Sequence, residues 1–422
     1  IFLQIMNTKF QFFSSFKFSI LAQIVVKLLG FIFSFLGFIL AARCLGPNSL
    51  GELNFAFSLI ALLAPIGGLG SINSLRALSI SQNNLTGLTE SAFCIQLVGS
   101  TFLSIIILPI AITLDNITLS ILLLIGLAIN LISSFNVLEV NIISGLKGQQ
   151  IALLTFFQAL LGLFFSAILF VSNTCSIFTF ALVPVFTTIF RSIYLVKLCP
   201  AFEFTRLIAR VNKRAVQLLL SRGLLLLISF LSISTYSKVD KIMIGFFMTQ
   251  YDVGIYSTAD QIMSTLSSVF AVVTMSYYPK LVNTFKAKSD ELIDANSGQE
   301  LFKLMLALAI ILSVLSATLI PLSLAHILGT AYEESSKILI YLSPSLLFVA
   351  INYYTDALLN IQGNINTITI SSIITASLNI ILNFMLIPAL GLNGAIVASI
   401  VALIIGFCYR CYKIKTLNLL CI

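Results

Sequence analysis

Apolar residues run along almost the whole chain in about a dozen blocks, each near the ~20 residues that a helix needs to cross a bilayer. The blocks read as spans at roughly 18–41, 51–75, 91–113, 117–140, 151–172, 176–196, 215–236, 254–279, 301–325, 338–361, 366–388 and 392–413. Strands would have to close into a barrel and alternate polar and apolar positions about every second residue. Runs such as IILPIAITL and LLLISFLSI do not alternate. The pattern therefore predicts an all-α integral membrane protein with about 12 transmembrane helices.

Composition narrows the function classes. The chain is 59% hydrophobic and only 9% charged, with a mean hydropathy of +1.09. That excludes a soluble enzyme and argues against nucleic acid as a partner. The net charge of +8 is explained by its placement. Sixteen Lys and Arg residues, among them Lys9, Lys147, Arg206, Lys280 and Arg410, flank the spans on the side of the N-terminus. Four (Arg43, Lys238, Lys241 and Lys337) fall on the other side, and Lys27, Arg191 and Arg222 fall within spans. This bias is the positive-inside rule, and it places both termini in the cytoplasm.

The first apolar run, after Lys9 and Lys17, ends in AARCLGP and not in a cleavage site. It reads as a retained span, longer than the apolar core of a signal peptide. Met6 is a candidate initiator, which leaves the status of residues 1–5 open. Seven cysteines sit mostly in or at the edges of spans. Cys408 and Cys411 form a CxxC without a second ligand pair and read as apolar packing, so no metal or cofactor is expected. Cys44 and Cys175 both fall on the outer side, and nothing in the sequence shows whether they meet.

No hydrophilic stretch is long enough to bury a core of its own. The longest, 198–214 and 280–300, are both expected on the inner side, and the first reads as a basic amphipathic surface helix at the chain's midpoint. It divides the chain into two six-helix lobes, 1–205 and 206–422. The lobes are related in sequence. LGPNSLGELNFA (45–56) aligns with MTQYDVGIYSTA (248–259), setting Gly51 on Gly254, and GLKGQQIALL aligns with NIQGNINTIT, setting Gly148 on Gly363. Six spans per lobe is even, so the copies share one orientation. That is the parallel pseudo-repeat of some secondary transporters.

ARCLGPNSLGELNFAFSLIALLAPIGGLGSINSLRAL resembles the N-terminal signature of polysaccharide flippases in the multidrug/oligosaccharidyl-lipid/polysaccharide exporter superfamily. The matching residues are Arg43, Leu45-Gly46-Pro47, Gly51 and Arg76. YSKVDKIMIGFFMTQYDVGIYSTADQI (236–262) is similar to the central signature, through Asp240, Gly254, Tyr256 and Ala259, and LGLNGAIVASI (390–400) to the motif that opens the last span. The resemblance implies translocation of an undecaprenyl-pyrophosphate-linked oligosaccharide across the bacterial inner membrane by alternating access. Its implied partners are that lipid-linked oligosaccharide, membrane lipid and glycan polymerase machinery. Readings that stay open are a multidrug or cation extruder of the same superfamily and a membrane O-antigen polymerase or ligase. The short outer segments argue against the last.

Charged residues inside spans are the candidate site. Lys27 lies about 13 Å into the first span at 1.5 Å per residue, and Arg222 lies at similar depth in the seventh. With Arg191 they either snorkel to headgroups or form a cationic cavity for a pyrophosphate. Asp260 shares a face with Tyr256, Ser264 and Ser268, and Asp356 with Asn352 and Asn360. Each carboxylate either anchors interhelical bonds or couples transport to a cation. GxxxxGK[ST] is absent, so the energy source is expected to be a gradient or the substrate's own flow.

Overall fold

A computed structural model describes residues 16–79, 87–113, 115–145, 148–200, 202, 210–287 and 296–416. Met6, Lys9, Lys147, Arg206 and most of the midpoint linker lie outside the described residues.

The described chain forms fifteen α-helices. The first, α1 (Phe16–Gly68), is two crossings joined at a kink, where Gly46 adopts φ 71° and Pro47 follows. A left-handed residue and a missing N–H together interrupt the helical ladder. Then come α2 (Ser71–Ser79), α3 (Leu88–Thr113), α4 (Ile117–Ile132), a 3₁₀ turn (Ser133–Val137), α5 (Leu138–Ser144), α6 (Gly148–Val171) and α7 (Ile177–Leu198). The second lobe holds α8 (Lys213–Phe247), α9 (Gln250–Ala287), α10 (Asn296–Ala317), α11 (Leu319–Leu328), α12 (Glu333–Leu342), α13 (Ser345–Ile361), α14 (Ile365–Leu390) and α15 (Leu392–Thr416).

The helices supply twelve crossings, six per lobe. The fourth is α4, the 3₁₀ turn and α5 in series, and the tenth is α12 and α13, bent by 54°. Helix α11 is an extra short piece at the outer end, which the sequence had merged into a span at 301–325. The seventh span is also longer than expected. Helix α8 runs to Phe247, so Lys238 and Lys241 lie inside it and not in an outer loop. Only Arg43 and Lys337 then remain of the outer basic residues.

Each lobe has its own apolar core. Leu122, Leu123 and Leu127 pack on Ile60 and Leu103 in the first, and Tyr256, Phe270, Leu339 and Leu346 centre the second. Ala42, Leu50 and Phe55 of α1 are buried in the core of the second lobe, so the lobes press together at the outer end. There the Tyr332 hydroxyl donates to the Ala42 carbonyl at 2.8 Å. A disulfide joins Cys44 to Cys175, with Cα atoms 5.3 Å apart, tying the kink of α1 to the turn between α6 and α7. Beside it the Arg43 guanidinium lies 6.0 Å from the Phe170 ring centre.

Candidate functional site

Arg191, on α7, is the centre of the polar interior of the first lobe. Its Nη2 lies 2.9 Å from Glu139 Oε2. Its Nε donates to Asn136 Oδ1 at 3.1 Å, and its Nη1 to Gln158 Oε1 at 3.1 Å and Thr155 Oγ1 at 3.3 Å. Asn136 lies in the 3₁₀ turn that breaks the fourth crossing. Three residues make one turn of that geometry, which sets Asn136 and Glu139 on one face, toward the guanidinium. Arg191 therefore does not snorkel; it is held inward by four side chains.

Arg191, Glu139 and Asn136 line a cavity of about 470 Å³ together with Asn73 and Arg76, and Phe230 of the second lobe closes one side. The Arg76 side chain is exposed and has no ion pair among the described residues. Two guanidinium groups and one carboxylate leave the cavity net positive. Lys27 does not line it, but lies within electrostatic reach of Glu139 and donates to Met275 Sδ of α9 at 3.4 Å. Arg222 is exposed and lines neither cavity of this lobe. It precedes Phe230 on α8, which is bent by 47° between the two residues.

The second cavity, also about 470 Å³, lies in the outer half of the first lobe and shares Gln158 with the first. Its polar lining is neutral: Ser34, Thr155, Gln158, Ser166, Thr187 and, from α9, Gln261. Phe38 and Phe180 are among its apolar lining.

In the second lobe both carboxylates singled out from the sequence are ion-paired. Asp260 Oδ2 meets Lys241 Nζ of α8 at 2.5 Å, and Asp356 Oδ1 meets Arg410 Nη1 of α15 at 2.8 Å. Arg410 also donates to Ser371 Oγ at 2.7 Å. It is therefore buried in the bundle and is no part of a solvated inner flank. Glu139–Arg191 joins the fourth and sixth crossings of the first lobe. Asp356–Arg410 joins the fourth and sixth of the second. An acid–arginine pair thus joins the same two crossings in each lobe.

A third carboxylate, Asp240, is 8% exposed and has no cationic partner among the described residues. Its Oδ1 accepts from Asn379 Nδ2 at 3.0 Å and Asn383 Nδ2 at 2.6 Å. Its Oδ2 accepts from the Tyr256 hydroxyl at 2.7 Å and from Ser399 Oγ at 2.5 Å. Four helices, α8, α9, α14 and α15, converge on this one group. The Oδ1 atoms of Asn379 and Asn383 are buried with no hydrogen-bond partner.

The structure thus brings Arg191 into a cavity and leaves both Lys27 and Arg222 off its lining. Sequence reasoning passed over Arg76 as a site residue and Asp240 as a buried node, although both stand in signature segments. The available signal for Asp240 was a carboxylate flanked by Lys238 and Lys241 in the continuation of an apolar helix.

A family model described as "Polysaccharide biosynthesis protein" matches residues 17–285. No match is found among curated proteins. Among solved structures, the lipid II flippase MurJ in an inward closed conformation superposes with a TM-score of 0.70 at 15% identity, over 94% of this chain and 87% of that one. An inward-facing multidrug resistance MATE family transporter gives 0.69 at 15% identity, over 94% and 99%. A transporter of the same superfamily from Pyrococcus furiosus gives 0.59 at 14% identity, over 95% and 96%. The chain belongs to the polysaccharide biosynthesis protein family and has the twelve-helix fold of these exporter-superfamily transporters.

Proposed function

We propose that the protein is a flippase that carries an undecaprenyl-pyrophosphate-linked oligosaccharide from the inner to the outer leaflet of a bacterial cytoplasmic membrane. The observation that carries this reading is the net positive inner cavity built on Arg191 and Arg76. A pyrophosphate loses its hydration on entering a bundle, and the Arg76 guanidinium with the remaining N–H of Arg191 would offer charge-assisted bonds in exchange. Lys27 adds field from the neighbouring helix, and Arg222 supplies an outlying charge on the inner approach. The prenyl tail stays in lipid while the head group occupies the cleft. A multidrug extruder of cations would need the opposite charge in this cavity. A lipid II flippase stands among the structural relatives, which fits the same class of cargo.

Transport by opposing lobes that rock about a cleft needs an energy input. Asp240 is the carboxylate that we assign to coupling. Asp260 and Asp356 are paired with Lys241 and Arg410, whereas the described partners of Asp240 are all neutral side chains. A buried charge of that kind is stabilised by a proton or a hard cation with oxygen ligands. Turned amides at Asn379 and Asn383 would present their partnerless Oδ1 atoms to such an ion, since amide orientation is set by the surrounding network.

The test is genetic and biochemical. Deleting the gene should abolish surface glycan and leave lipid-linked oligosaccharide on the inner leaflet, and reconstituted protein should restore its transfer in vesicles. Normal surface glycan together with lost drug resistance would assign the protein to the extruders.

A further inference from the structure

We infer that the neutral cavity in the outer half of the first lobe is a sugar subsite, that it takes the uncharged sugar joined directly to the pyrophosphate, and that Gln261 selects for it. The inference rests on the flippase reading above and names the part of the cargo that this cavity accepts.

Position is the first argument. The two cavities meet at one hydrogen-bonded fork, since Arg191 Nη1 donates to both Thr155 and Gln158 and these two residues also line the neutral cavity. Gln158 lines both cavities, so the substituent of an anion held in the Arg191–Arg76 cavity would pass Gln158 to enter the neutral one. The sugar would lie nearer the outer end than the pyrophosphate. It would lead and the phosphates would trail.

Chemistry is the second. Hydroxyls and amides both donate and accept, which matches the hydroxyl groups of a sugar. Phe38 and Phe180 also line the cavity, and an aromatic ring is a surface against which the C–H face of a pyranose can pack. No charged residue is among the lining residues, so a uronic acid would bury a carboxylate with no counter-ion there.

Gln261 singles itself out because it comes from the opposite lobe. Its side-chain amide makes no hydrogen bond among the described residues, yet it lines the cavity. A sugar bridging Gln261 and Gln158 would join the two lobes, so binding there favours the conformation in which the outer end is closed.

The test is a titration of purified protein in nanodiscs with three probes: farnesyl pyrophosphate, farnesyl-pyrophosphoryl-glucose and farnesyl-pyrophosphoryl-glucuronate. Wild type should bind the glucose conjugate about tenfold more tightly than the bare pyrophosphate, the value of one or two added hydrogen bonds, and the glucuronate no more tightly than the bare compound. Gln261→Leu should bring the glucose conjugate to within about twofold of the bare compound, and Gln261→Asn should keep part of the gain. If wild type binds all three alike, in an Arg191-dependent way, the subsite is wrong and the pyrophosphate reading stands. If none of the three binds, the flippase reading fails beneath it.

Discussion

Gly51 lies against the carbonyl of Gln250, and Gly254 lies against the carbonyl of Pro47. These are equivalent positions of the two aligned segments, so each lobe offers the other the same contact. Self-complementary contact of this kind is the mark of a two-fold axis, here a pseudo-axis passing between the two glycines. A Cβ on either glycine would overlap the opposing backbone oxygen, so the outer end closes only because both side chains are absent.

That contact predicts a matched pair of defects. Gly51→Leu and Gly254→Leu should each reduce glycolipid transfer in vesicles by about tenfold or more, because closure costs more than the ~1.4 kcal/mol that a factor of ten represents. Both should raise labelling of a cysteine introduced at Ala41 by an impermeant maleimide from the outer side. Unchanged labelling with full transport would remove the contact from the gating cycle.

Arg191 and Arg76 should separate stability from transport. Arg191→Ala strands Glu139, which is only partly buried (18% exposed), so the penalty stays below the buried-pair range but the melting temperature and transport should fall together. Adding Glu139→Gln should recover stability without recovering transport. Arg76 has no ion pair to lose, and Arg76→Gln should lower transport at an unchanged melting temperature. Recovery of transport in the double variant would mean that Arg191 is purely structural.

Gradient dependence should single out Asp240. Asp240→Asn should leave substrate binding in place and abolish the response of transport to an imposed proton or sodium gradient. Asp260→Asn and Asp356→Asn should keep that response but lower stability, since each leaves a cation unpaired. A full gradient response in Asp240→Asn would falsify the assignment.

The disulfide and the basic bias make one joint prediction about orientation. Disulfides persist on the oxidising side of a bacterial membrane, so Cys44 and Cys175 should resist an outer maleimide until reduced. Cys44→Ser should lower the melting temperature, by an amount on the order of the 2–4 kcal/mol typical of a disulfide. Reporter fusions after 147, 208 and 290 should read cytoplasmic, and those after 115 and 333 extracytoplasmic. The reverse pattern throughout would invert the molecule.

Much of the architecture was legible along the chain. Crossing number follows from runs of apolar residues and duplication from the Gly51 and Gly254 segments; both are properties of short stretches read in order. Boundaries were less legible where a crossing carries charge. Lys238 and Lys241 looked like the end of the seventh span because a hydropathy sum counts an ammonium as solvent-exposed, whereas Lys241 is buried against Asp260.

The site divides along the same line. The sequence by itself determined which charged residues stand in apolar surroundings and so must be accounted for: Lys27, Arg191, Arg222, Asp260 and Asp356. Only the tertiary structure decided what each does. The fate of a charge inside a bundle depends on which neighbouring helix face it meets, and that depends on rotations and bends that no local pattern encodes. Glu139 reaches Arg191 from a position just past the 3₁₀ turn within the fourth crossing. Asp240 lacks a cation and gathers Tyr256, Asn379, Asn383 and Ser399 because four helices converge there from distant parts of the chain.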